Sequence, residues 1–139
     1  MTFLARFSLT FAAGVFGGLI NSLVVWFCGY QGLNQWLGVQ LAPALTTAFL
    51  YPRLVWGGLW GWLFLLAPNP SSRWRQGLLL SLAPSLVQLL YIFPYHLHKG
   101  FFGWQLGRLT PLLVLVFNAV WGLAAALWLD LAIPGRRSR

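Results

Sequence analysis

The fold class the sequence predicts is an all-α membrane protein with four transmembrane helices, and three observations carry that prediction. Of the 139 residues, 59% are hydrophobic and only 7% are charged, whereas a soluble domain needs roughly a quarter of its residues charged to cover its surface. The charges are also spaced widely: residues 7–52, 54–72, 76–98 and 109–129 contain no Lys, Arg, Asp or Glu. Finally, polar or proline-bearing breaks separate the apolar runs at intervals that suit a bilayer.

A spanning helix needs about 20 mostly apolar residues at about 1.5 Å rise each. The first run is long enough for one span and part of a second, and the expected spans are 3–29, 41–66, 76–94 and 109–130. Between the first two, Gly29-Tyr30-Gln31-Gly32-Leu33-Asn34-Gln35 is a polar, glycine-bearing break. Pro68-Asn69-Pro70-Ser71-Ser72-Arg73 is turn chemistry between the second and third. The stretch from Pro94 to Arg108, with His96, His98, Lys99 and three glycines, separates the last two. The apolar run from Phe7 to Cys28 is longer than a signal-peptide core and no small-x-small cleavage site follows it, so the first span is expected to stay. The bulky Trp26-Phe27 pair before Cys28 argues against lipid attachment there. A single cysteine also forbids an internal disulfide.

Basic residues give an expected orientation. With the N-terminus inside, the cytoplasmic side carries Arg6, Arg73, Arg75, Arg136, Arg137 and Arg139, against Lys99 and Arg108 outside, and cytoplasmic flanks are expected to hold that excess. A multi-pass protein of the cell inner membrane with both termini cytoplasmic follows. The pI near 11.3 does not imply nucleic acid as a partner, because the basic residues fall singly or in pairs at span edges and form no groove for a backbone. The basic tail 131–139 is expected to touch anionic lipid. Expected partners are therefore membrane lipids, other membrane proteins or further copies of the chain.

Sliding the chain on itself by 68 positions aligns Gly32 with Gly100, Trp36 with Trp104, Leu41 with Leu109, Pro43 with Pro111, Leu45 with Leu113 and Phe49 with Phe117. After a three-residue gap, Val55-Trp56-Gly57 aligns with Val120-Trp121-Gly122. The chain thus reads as two helical hairpins, 1–68 and 69–139, forming one membrane domain. Two spans per unit give both units the same orientation, so the repeats are parallel and their pseudo-twofold runs along the membrane normal.

Lipid is as apolar as leucine, so spans associate through small residues that allow close approach and through polar side chains bonded across the interface. Gly14 and Gly18 form such a pair with Asn21 near the same face, Gly57 and Gly61 form another, and Asn118 and Gly122 stand four apart on the last span. On the third span Ser81, Ser85, Gln88 and Tyr95 recur at helical spacing. These faces are expected to meet inside the bundle.

Arg53 asks for more. It falls in the middle of the expected second span, where an arginine costs at least about 2.5 kcal/mol. The single acid, Asp130, is expected about 15 Å deeper along the normal, too far for a direct ion pair. Pro52 lacks the N–H that would bind the Ala48 carbonyl, which leaves one acceptor a turn away, and Tyr51, Asn118, Gln88 and Thr46 are further candidates. Either the guanidinium locks the bundle through neutral acceptors, or it stands in a wet cleft and binds an anion such as a phosphate, a lipid headgroup or an acidic metabolite.

Enzyme chemistry has no residues to rest on: there is no paired carboxylate, no G-x-S-x-G elbow, and no H-E-x-x-H or phosphate-cradling glycine loop. His96-x-His98 lacks companion carboxylates or thiols, so neither a metal nor another cofactor is expected. No span carries a carboxylate near its centre, which argues against ion-coupled transport. The expectation is a non-enzymatic accessory or assembly subunit that binds other membrane components. The alternative is a small oligomeric channel, carrier or lipid flippase that selects an anionic substrate through Arg53.

Overall fold

The computed structural model describes residues 1–68 and 70–133; most of the basic tail, Arg136, Arg137 and Arg139 included, lies outside the described residues. The fold is helical. Helix α1 runs Phe3–Tyr30 and the single turn α2 covers Leu33–Trp36. Helix α3 covers Thr47–Gly61 and tightens into a 3-10 segment at Trp62–Leu66. Helices α4, Arg73–Leu80, and α5, Leu82–Val87, lead into a wide π-helical stretch at Gln88–His96. After a short 3-10 turn at Phe101–Gly103, helix α6 takes Thr110–Ala132.

Three helices are long and apolar enough to cross a membrane: Phe3–Tyr30, Arg73–His96 and Thr110–Ala132. They match the expected first, third and fourth spans with small shifts at the ends. The expected span 41–66 is shorter as a helix, because α3 begins only at Thr47. Pro43 pushes Ala42 out of helical conformation, and Asn34 Nδ2 donates to the Leu41 carbonyl at 2.8 Å. The Gln40 N–H donates to the Leu106 carbonyl, also at 2.8 Å, and ties this segment to the other loop at the same end. Thr46 then caps α3, its hydroxyl accepting from the Phe49 N–H at 3.2 Å.

Helices α1 and α6 form the centre, with α3 against α1 and α4 against α6. Close backbone approach explains both outer contacts. A methyl group at Gly14 would collide with the Gly57 carbonyl, and one at Gly61 with the Thr10 carbonyl. On the other flank, a methyl at Gly122 would collide with the Gly77 carbonyl. The glycines that align in the expected repeat thus each meet another glycine, Gly57 of α3 meeting Gly14 of α1 and Gly122 of α6 meeting Gly77 of α4. Between the two central helices, the Trp121 indole N–H donates to the Gly14 carbonyl at 3.1 Å. Ala13, Phe64, Ala125, Ala126 and Leu129 bury themselves around Trp121 at that level.

Asp130 meets Arg73, with Nε and Oδ1 3.7 Å apart. The Arg73 side chain is buried and also donates to Gln76 Oε1 at 3.1 Å, while Gln76 Nε2 reaches the Ala67 carbonyl at 2.7 Å. The one carboxylate therefore closes the end of the bundle where α1 begins and α6 ends, well away from Arg53.

Candidate functional site: a lateral cleft around Arg53

Arg53 is placed by the glycine stripe of its own helix. Arg53, Gly57 and Gly61 follow each other at four-residue spacing along one face of α3, and on α1 the facing stripe is Gly14, Gly18, Asn21 and Ser22. Packed antiparallel, Gly61 and Gly57 meet Gly14, and Gly18 comes so close to the Arg53 carbonyl that an added Cβ would stand 2.8 Å from it. One turn further along α1, Asn21 and Ser22 then lie beside the guanidinium.

The resulting bonds are all to neutral groups. Arg53 Nε donates to Ser22 Oγ at 2.9 Å and Nη2 donates to Asn21 Oδ1 at 2.5 Å. Asn21 in turn donates its amide to the Phe117 carbonyl of α6, and the Ser22 hydroxyl donates to the Gly18 carbonyl at 2.7 Å. The guanidinium carbon stands 4.9 Å from the centre of the Phe49 ring, which adds a cation–π contact. Nη1 has no hydrogen-bond partner among the described residues. Arg53 is half-buried and lines a cleft.

That cleft has a volume of about 480 Å³, within the range of small-molecule sites. It exists because α3 and the Arg73–His96 helix pack against α1 and α6 and leave a gap between themselves. Pro52, Arg53, Trp56 and Trp60 form one wall; Pro84, Val87, Gln88, Tyr91, Ile92 and His96 form the other. Gly18 and Asn21 of α1, with Asn118 and Trp121 of α6, make the floor. The prolines have a local effect, since each removes a backbone donor and loosens its helix. On the second wall the helix breaks at Ser81 before Pro84, and widens to π geometry through Pro94.

A polar layer crosses the cleft at one depth. Asn21 lies nine residues from the Tyr30 end of α1 and Asn118 eight from Thr110, about 12–14 Å in each case, and Gln88 lies eight residues from His96 along the wider π-helical stretch. Asn118 Nδ2 donates to Ser85 Oγ at 3.0 Å and to Gln88 Oε1 at 3.3 Å. Gln88 Nε2 has no partner among the described residues.

Of the expected anion-site candidates, the structure brings Arg53, Gln88 and Asn118 to the cleft. Thr46 instead caps α3, and Tyr51 is 60% exposed on another face; neither lines the cleft. The Ala48 carbonyl does not accept from Arg53, whose acceptors are Ser22 and Asn21. Asn21, expected as a packing residue, is also the principal partner of the arginine. Ser22, Phe49 and the Phe117 carbonyl were missed, although Ser22 was within reach of the sequence: it stands four residues from Gly18, on the same stripe. His96 lies at the cleft mouth and His98 just beyond, at a positive φ of 55°. Among the described residues no three His, Cys, Asp or Glu side chains gather as a metal site.

Compared with known proteins, the chain matches no family model, no curated sequence and no solved structure. Fold and site together define a small helical membrane protein with a side-opening cleft that holds one arginine among apolar walls.

Proposed function

We propose that this chain is a non-enzymatic, multi-pass protein of the cell inner membrane, an accessory or assembly subunit that binds another membrane component in the Arg53 cleft. The observation that carries this is Arg53 itself: a guanidinium half-buried at membrane depth, bonded only to neutral protein acceptors, with its Nη1 edge left for a ligand. Four crossings are part of the proposal. The 15 residues of α3 and the five of its 3-10 extension give the second crossing its length, and the paired glycine contacts, Gly14 with Gly57 and Gly77 with Gly122, support two parallel hairpins. The arginine excess near the termini supports a cytoplasmic location for both.

Binding is favoured over passage by where the cleft stops. Its lining begins at His96 near one end of the bundle and reaches no further toward the other than Trp60, Pro84 and Trp121, beyond which the buried hydrophobic cluster around Phe64 fills the interior. A carrier built on Arg53 would need that plug to open.

The test is site-specific photo-crosslinking in native membranes. A photoreactive residue at Val87, which lines the cleft and is 37% exposed, is expected to capture a membrane component. The same residue at Leu115, on the exposed face of α6, is expected to give only background. Equal capture at both positions would overturn the proposal.

A further inference from the structure

We infer that the occupant of the Arg53 cleft is an anionic phospholipid, with its phosphate on Arg53 and one acyl chain lying between the aromatic walls. This deepens the binding reading above and rests on it.

Charge comes first. The sequence has one acid, and Asp130 is engaged with Arg73 at the far end of the bundle. The acceptors of Arg53, an amide oxygen and a hydroxyl, satisfy two of its five N–H groups but leave its positive charge unneutralised. In an apolar surrounding that charge calls for a counter-ion from outside the chain. Phosphate fits the donors left over, because a guanidinium edge takes two phosphate oxygens in parallel. Arg53 and Gln88 both line the cleft, and the Arg53 Nη1 and Gln88 Nε2 groups are both without protein acceptors among the described residues.

Shape and depth then choose a lipid as the source. The cleft opens sideways between α3 and the Arg73–His96 helix, where a lipid can enter from the bilayer without crossing it. Trp56, Trp60, Tyr91 and Ile92 give it apolar walls for a chain. On α1 and α6 the polar layer lies about 12–14 Å from the helix ends, a depth that the long arginine side chain can partly span toward a headgroup.

The experiment uses the purified full chain in nanodiscs made of equal parts phosphatidylglycerol and phosphatidylcholine, with bound lipid counted by native mass spectrometry. Retained phosphatidylglycerol is expected to exceed phosphatidylcholine about tenfold, which corresponds to ~1.4 kcal/mol of preference. Arg53→Gln should abolish the preference. Because Arg53 also ties α3 to α1, a second variant is needed that leaves its bonds alone: Val87→Trp fills the cleft from the opposite wall and should displace the lipid. Excess inorganic phosphate should leave the adduct in place, since it offers no chain for the walls. Equal retention of the two lipids, undiminished preference in Val87→Trp, or release by phosphate would each overturn the inference. The Val87 crosslinker separates this failure from that of the broader reading: a captured protein overturns only the lipid, and no capture overturns both.

Discussion

Gly14 of α1 and Gly57 of α3 face each other so closely that a methyl on either would run into the other's carbonyl oxygen. This contact sets how far α3 slides along α1. It therefore decides which α1 residues Arg53 meets one turn away, so a packing motif positions the polar one.

Gly57→Ala is accordingly expected to destabilise the protein by about 1–3 kcal/mol through backbone displacement. The readout is thermal or denaturant unfolding of the purified protein in detergent, with Leu115→Ala, on the exposed face of α6, as the comparison, expected within about 0.5 kcal/mol of wild type. The same small effect for both variants would mean that the helices are not in contact at this glycine.

Asn21 joins three helices, accepting from Arg53 on α3 and donating to the Phe117 carbonyl on α6. Its replacement by alanine strands a donor and an acceptor together, so a loss of about 1–2 kcal/mol is expected, toward the upper end for hydrogen bonds in membrane interiors. Ser22→Ala removes one bond to Arg53 and a local one to Gly18, and should cost less. The reverse order, measured by the same unfolding assay, would contradict the network described.

The Arg73–Asp130 pair should respond asymmetrically. Asp130 has a side chain 48% exposed and stands 3.7 Å from its partner, so Asp130→Asn should change stability by no more than about 1 kcal/mol. Arg73→Leu also strips Gln76 of a buried donor and should cost about 1–3 kcal/mol. Unfolding curves for the two variants decide it; equal losses would show that the carboxylate matters more than its exposure implies.

Four crossings put both ends of the chain on one side of the membrane, and three put them on opposite sides. Reporter fusions at the N-terminus and after Ile133 are expected to report the same, cytoplasmic, compartment. Opposite compartments would remove α3 as a crossing and with it the membrane depth assigned to Arg53.

What the sequence by itself determined was the membrane class and three of the helices to within a few residues; of the close glycine contacts it named Gly14, Gly57, Gly61 and Gly122 but not Gly77, the partner of Gly122. Those follow from composition and from spacing along one helix, which are local properties of the chain. The register of α1 on α3 was within reach too, because Gly14, Gly18 and Ser22 mirror Gly61, Gly57 and Arg53 at the same four-residue period. The start of α3 was not: Leu41–Thr46 is apolar enough for a helix, and its non-helical path is held by Asn34 and Leu106, partners contributed by other segments. The tertiary structure alone decided that Asp130 belongs to Arg73, and that α3 and the Arg73–His96 helix stand apart. Which charges meet, and which helix faces are left uncovered, depend on how all the elements pack in three dimensions, and no periodicity within one span encodes the gap between two others.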